Sequence, residues 1–350
     1  MVDGCAKHQN PAGQRLQQVD ALRGVAALAV VLFHFTTRFT ELYRPGQSLS
    51  LAFPHGHLGV NLFFIISGFV IFMTLERTVR PMDFVVSRFS RLFPSYWAAI
   101  ILTFMVTHWL GLPGKMVDLA PALANFFMMH SIFGVPHVDG VYWTLEVEML
   151  FYIGMFTLFR LRWLDRIHWV LLAFLSLRLL YVAMASIFGI DLPWIAFRLL
   201  ILKYIPWFAL GICVYQITLQ KRRLPNKQPL FTAAAAVVTL GIAESALLGG
   251  VALVFAALVY AGALGRLRWL NTRLFLWLGS ISYPLYLIHE NIGWSIQLQA
   301  LAQGVPFELA ALLVLALSLA LATAMTRWVE QPAMRWIRSR YRARKHALAV

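Results

Sequence analysis

Charge is scarce in this chain: Asp, Glu, Lys and Arg make up 13% of its 350 residues, against roughly 25% in a typical soluble domain. Acidic groups are the scarcer kind, 15 against 30 Lys and Arg. With 60% hydrophobic residues and a mean hydropathy of +0.70, too little polar surface is left to cover a water-facing globule of this size, which excludes an ordinary soluble fold. Only two cysteines occur, Cys5 and Cys213, so there is no disulfide framework and no basis for a Cys-based metal site. Internal repeats are missing, and no soluble domain is expected at either end.

What the chain has instead is a series of long apolar runs. A hydrocarbon core takes roughly 20 residues per helix, and about ten runs of that kind are bounded by charge or by Pro and Gly. They cover 20–37, 58–76, 94–112, 141–159, 168–190, 198–219, 229–248, 250–265, 274–296 and 307–328. The expected fold class is an all-α polytopic membrane protein with about ten transmembrane helices. Gly249 and Gly250 separate the seventh run from the eighth and read as a tight helical hairpin. Residues 119–134 are apolar but too short to span, and read as an interfacial or re-entrant helix. The first run holds Arg23 and His34 and shows no small-residue cleavage pattern, so it reads as a retained helix and not as a signal peptide.

A net charge of +15 would point to nucleic acid in a soluble protein. Here the basic residues cluster in alternate connections: Arg77 and Arg80, Arg160 to Arg166, Lys221 to Lys227, Arg266 to Arg273, and Arg335 to Lys345. That asymmetry assigns both termini to the cytosol and makes nucleic-acid binding superfluous. The chain then divides into a cytosolic tail over 1–17, a membrane domain over 18–336 and a basic cytosolic tail over 337–350.

Ionisable side chains inside spans are costly and mark function by default. They are Arg23 and His34 in the first run, Glu146 and Glu148 in the fourth, Arg178 in the fifth, Glu244 in the seventh, and His289 and Glu290 in the ninth. Arg23 and His34 share one face, ~16 Å apart along the axis, with small residues Ala27, Val30 and Val31 between them, as beside a narrow channel. Glu148 lies on a polar line with Thr144 and Tyr152. Glu146 points the other way, near the surface, and is expected to stay hydrated. Gly279, Ser282, Tyr286, His289 and Gly293 form one small and polar stripe, so His289 faces the interior. Arg88 and Arg91 share a helical face at the inner surface, suited to an anion or to anchoring.

Six blocks then resemble one family in order: QVDALRGVAALAVVLFHF at 18–35, GVNLFFIISGFVIF at 59–72, SRFSRLFPSYW at 87–97, WTLEVEMLFY at 143–152, LGSISYPLYLIH at 278–289 and VEQPAMRW at 329–336. They resemble the acyltransferase 3 family of integral membrane O-acyltransferases. The resemblance implies transfer of an acyl group, usually acetyl, from cytosolic acyl-CoA to a hydroxyl of an extracytoplasmic or membrane-bound carbohydrate or glycolipid, by a multi-pass protein of a bacterial inner membrane. Carried over position by position, the family's motif residues fall on Arg23, His34, Ser67, Arg88, Arg91 and Glu148. Arg23, Arg88 and Arg91 are expected to hold the donor's phosphates. Ser67 and, from the polar stripe, Tyr286 and His289 are expected to line the substrate pocket, where His289 could also assist, and His34 and Glu148 to be catalytic, with no metal. His34 acts as base or as acyl carrier, oriented by Glu148. Glu148 is followed by Met149, where the family commonly has an acidic pair. The rival readings are a secondary transporter for a small anionic solute, which lacks a pair of related halves, and a lipid-linked glycosyltransferase, which lacks an acidic outer loop. His55 and His57, two loop histidines without further ligands, do not make a metal site.

Overall fold

In a bilayer, backbone N–H and C=O groups must bond within their own segment, and helices are how this chain satisfies them. The computed structural model describes residues 11–44, 52–219 and 227–347, and among these there is no strand. Lys221, Arg222 and Arg223 lie outside the described residues, as do the far ends of both tails. The main helices are α1 (Pro11–Phe33), α2 (Gly59–Glu76), α3 (Pro81–Leu110), α4 (Trp143–Arg160), α5 (Ile167–Phe188) and α6 (Ile205–Thr218). After these come α7 (Gln228–Ala243), α8 (Ala246–Ala263), α9 (Arg273–Ile288), α10 (Glu290–Ala302), α11 (Phe307–Met325) and α12 (Gln331–Ala347).

Six helical stretches are long and apolar enough to cross a membrane: Gln17–Tyr43, Gly56–Glu76, Pro81–Leu110, Leu164–Phe188, Ala246–Ala263 and Phe307–Lys345. The helices α6, α7 and α9 are apolar but shorter, and α4 carries Glu146, Glu148 and Arg160. Large apolar side chains such as Met105, Trp109, Leu253 and Leu312 are exposed on the outside of the bundle, the surface that lipid covers.

Several boundaries differ from the sequence reading, each for a physical reason. The helical hairpin turns at Glu244–Ser245, not at Gly249–Gly250, because the Ser245 hydroxyl caps α8 by accepting from the Leu248 N–H (3.2 Å). α3 begins at Pro81, well before the expected residue 94, since Pro81 starts the helix where its missing N–H costs nothing. The segment 119–134 is broken into Leu119–Ala124 and a short 3-10 turn, His130–Phe133. Asn125 breaks it, bonding the carbonyls of Pro121 and Pro136 and the N–H of Val138. The ninth run is interrupted at His289, where α9 gives way to α10. There the N–H of Asn291 leaves the helical ladder for the Asp139 carboxylate (3.0 Å), which supplies the cap that a new helix start requires.

Helices in lipid associate through close packing of small residues. α1 and α9 cross backbone to backbone at Gly24 and Gly279, where a Cβ on Gly279 would lie 2.5 Å from the Asp20 carbonyl oxygen. α2 and α6 cross in the same way at Gly68 and Gly211. Ala27, Val30 and Val31 are fully buried, so the channel expected beside them is absent and that face of α1 is packed solid.

Candidate active site

The cavity touches α1 at Arg23. Arg23 from α1, Arg88 and Arg91 from α3, Glu148 from α4, Ser67 from α2 and Tyr286 from α9 all line it. Its lining along α2 runs from Val60 to Ile71, a rise of ~16 Å. Guanidinium groups mark one end. Arg23 donates to Ser282 Oγ (2.9 Å) and the Gly279 carbonyl (3.2 Å) and pairs with Asp20 at 3.3 Å. Arg91 lies 3.4 Å from Glu330, while the Nε of Arg88 is buried without a partner. Further along, Glu148 accepts from Ser67 Oγ (2.9 Å) and the Tyr152 hydroxyl (2.5 Å). At the far end Tyr286 meets Thr144 at 2.8 Å and packs against Phe63.

Beyond Tyr286 stand two imidazoles. The ring of His289 packs on Tyr286 at 5.7 Å, and His34 packs on His289 at 4.9 Å. His34 follows the last residue of α1 and opens a π-helical turn, His34–Arg38, a distortion frequent at functional sites. Its cause is visible. The carbonyls of His34 and Phe35 accept from Trp294 Nε1 (2.9 Å) and Gln297 Nε2 (3.0 Å) of α10, which holds the turn open.

The hydrogen bonds assign the tautomers. His34 Nδ1 lies 2.9 Å from the Val30 carbonyl, and His289 Nδ1 lies 2.9 Å from the Tyr286 carbonyl. A carbonyl only accepts, so each Nδ1 carries the proton and each Nε2 keeps a lone pair. His289 Nε2 then accepts from His34 Nδ1 at 3.2 Å. The free nitrogen of the pair is His34 Nε2, and 3.4 Å from it lies the Oε2 of Glu290. The other oxygen of Glu290 is 3.9 Å from Lys115 Nζ. Gly140 makes room for this carboxylate, since a Cβ there would collide with it. Asp139, next in the same loop, bonds the N–H groups of Val141 and Asn291. Burial pushes its carboxyl up to about 7, against the pull of those donors.

The residues singled out in the sequence therefore fall into two adjoining groups. Arg23, Arg88, Arg91, Ser67, Glu148 and Tyr286 share the cavity, while His34 and His289 lie behind Tyr286. The expected partnership of His34 with Glu148 is not made: Glu148 is engaged by Ser67 and Tyr152, and the carboxylate at His34 belongs to Glu290. Adjacent residues on an intact helix point about 100° apart, so His289 and Glu290 did not read as two residues of one site. At His289 the helical hydrogen-bond ladder breaks while the backbone stays helical (φ −78°, ψ −39°), and both side chains are buried. The signal was the polar run His289-Glu290-Asn291 in an otherwise apolar span.

Glu146 is also placed otherwise than expected. It is buried, its carboxylate forked by Arg198 (2.8 Å) and bonded by Ser131, because the connection from Trp194 brings Arg198 back over α4. Nearby, His130 and His137 bond each other at 2.9 Å, and burial holds His137 down to about 4. Arg178 pairs with Glu244 at 2.6 Å, which accounts for two further charges in the apolar runs. Among the described residues, no group of three or more His, Cys, Asp or Glu side chains is placed to hold a metal ion.

The comparisons with known proteins agree in kind. Exopolysaccharide production protein ExoZ of Rhizobium meliloti is 32% identical over 120 residues, 32% of this chain and 37% of that protein. Peptidoglycan O-acetyltransferase OatA of Listeria monocytogenes is 25% identical over 166 residues, 41% of this chain and 24% of that protein. Nodulation protein 10 of Rhizobium leguminosarum bv. viciae is 31% identical over 115 residues, 28% of this chain and 31% of that protein. The matched segments span well under two thirds of each of these relatives. No solved structure matches. A family model described as an acyltransferase domain matches residues 16–327, nearly the whole chain, and the protein belongs to the acyltransferase 3 family.

Proposed function

We propose that the protein transfers an acyl group, acetyl in the simplest case, from cytosolic acyl-CoA to a hydroxyl of an extracytoplasmic or membrane-bound carbohydrate. In this reading about ten helices cross a bacterial inner membrane, both termini are cytosolic, and the arginine end of the cavity faces the cytosol. One observation carries the reading: a cavity with guanidinium groups at one end runs ~16 Å toward a buried imidazole, the length of an extended pantetheine arm. Arg88, Arg91 and Arg23 receive the donor's phosphates there, with the unpartnered Nε of Arg88 available to an anion. The names of the relatives, one of exopolysaccharide production and one a peptidoglycan O-acetyltransferase, favour a carbohydrate acceptor.

The chemistry follows from His34 Nε2. The Val30 carbonyl and His289 fix the ring through Nδ1, so Nε2 is the nitrogen that reacts. As base it takes the acceptor hydroxyl's proton while that oxygen attacks the thioester carbon. The tetrahedral oxyanion then collapses, the C–S bond breaks, and the departing thiolate regains the proton from the imidazolium. As acyl carrier the same nitrogen attacks the thioester carbon, and the C–S bond breaks to release the thiolate. The acceptor hydroxyl oxygen then attacks the acyl carbon, the C–N bond breaks, and the hydroxyl's proton goes to the thiolate. Glu290 serves both routes, because its carboxylate stabilises positive charge on His34. Glu148 is a positioning residue that holds Ser67 and Tyr152 along the arm's path. Tyr286 and His289 stand between the cavity and His34, so the thioester passes them to reach Nε2.

The test is mass spectrometry of surface polysaccharide and glycolipids from cells with and without the gene. Loss of one acyl mass from one glycan is expected. An unchanged acyl pattern, together with acyl-CoA-independent solute flux by the purified protein, would favour a transporter.

A further inference from the structure

Most of the C-terminal helix α12 falls in what the sequence reads as a basic cytosolic tail over 337–350, yet the helix is tied to α3 beside Arg88 and Arg91. Arg338 donates from Nε to Ser90 Oγ (3.0 Å) and from Nη2 to the Ser87 carbonyl (3.3 Å). Two further ties fix the helix against α3: the Tyr341 hydroxyl donates to Asp83 (2.8 Å), and Lys345 lies 3.2 Å from the same carboxylate. The placement sets Arg338 against Arg88 and Arg91, whose charges repel it. Among the described residues, Arg91 is the one of these three guanidiniums paired with a carboxylate, that of Glu330 at 3.4 Å. Arg88 has Ser87 Oγ at 3.3 Å and a buried, unpartnered Nε. Bringing like charges together is unfavourable even in a half-buried site, and an anion bound there would relieve the repulsion.

Position selects which anion. Arg88 and Arg91 line the cavity and Arg338 does not, so Arg338 stands one step further out, at the rim. In a CoA thioester whose arm fills the cavity, the diphosphate comes first and the 3′-phosphate of the ribose lies beyond it. A phosphomonoester carries close to two negative charges and matches two guanidinium forks. We propose that Arg338, with Arg88, forms a binding site for the donor's 3′-phosphate, which makes the C-terminal helix part of the nucleotide site. This rests on the reading of acyl-CoA as donor.

The experiment is direct titration of CoA and of 3′-dephospho-CoA into the purified full-length protein and its Arg338→Ala, Arg338→Gln and Arg338→Lys variants. The wild type is expected to bind CoA about tenfold or more tighter than the dephospho form, the range for a lost charge-assisted contact. Arg338→Ala and Arg338→Gln should bind the two ligands alike, and Lys should restore part of the preference. Gln keeps hydrogen-bonding groups at the position without the charge, which guards against a folding defect in the Ala variant. A wild-type protein that binds both ligands equally overturns the inference and leaves the donor reading standing, as does a folded Arg338→Gln variant with full preference. Failure of the wild type to bind either ligand overturns the donor reading itself.

Discussion

His34 and Glu290 meet across the seam between α1 and α10, with Nε2 and Oε2 3.4 Å apart. Neither is positioned by ordinary helix. His34 sits at the start of a π-helical turn held open by Trp294 and Gln297, and Glu290 starts a helix capped by Asp139. Two local departures from regular geometry bring one imidazole and one carboxylate together.

If Glu290 stabilises charge on His34, then Glu290→Gln should lower kcat by about a hundredfold or more, the lower end of an acid–base contribution. The KM for acyl-CoA should stay near the wild-type value. Glu290→Asp should recover part of the loss. Steady-state kinetics with both substrates checks this, and an unchanged kcat in the folded Gln variant would leave Glu290 a structural residue at the start of α10.

Arg88→Ala and Arg91→Ala should each weaken acyl-CoA binding by about 1–3 kcal/mol, as expected for a lost charge-assisted hydrogen bond. Lysine should rescue only in part, since an ammonium cannot reproduce the guanidinium fork. Titration of acyl-CoA measures both effects. Full affinity in folded Ala variants would reduce the pair to topology anchors.

Arg198→Ala strands the buried Glu146 carboxylate, and removing one partner of a buried pair costs about 3 kcal/mol or more. A clear fall in Tm in detergent is expected, with partial recovery when Glu146→Gln is added to it. An unaltered Tm would show that Glu146 is solvated, as its sequence position suggested.

Reporter fusions at Arg44, Lys115 and Gln303 should report the external side, and those at Lys221 and the carboxyl terminus the cytosolic side. An external carboxyl terminus would separate the arginine end of the cavity from the cytosolic donor.

The shared faces of several cavity-lining residues were readable in the sequence because they obey helical spacing, although the channel was expected elsewhere, beside Ala27, Val30 and Val31. Arg88 and Arg91 stand three apart on α3, and Thr144, Glu148 and Tyr152 stand four apart on α4, so each set shares a face. The stripe from Gly279 to Tyr286 on α9 was readable for the same reason. What spacing could not show were contacts made where the period breaks or between distant segments. Glu290 depends on the interruption at His289, and the burial of Glu146 depends on the return of Arg198 over α4. The role of Arg338 depends on α12 folding back along α3, which nothing in the local pattern of α12 dictates. The hairpin at Glu244–Ser245 was misplaced because the glycines that follow are stronger turn signals than the serine cap that decides it.

The central claim is that transfer runs through His34 Nε2, and the direct test is acyl transfer by purified His34→Ala protein, measured beside its affinity for acyl-CoA. The account expects transfer to be abolished while the protein stays folded and binds acyl-CoA nearly as well as the wild type. Turnover near the wild-type rate in that variant would contradict it and move the reacting nitrogen to His289.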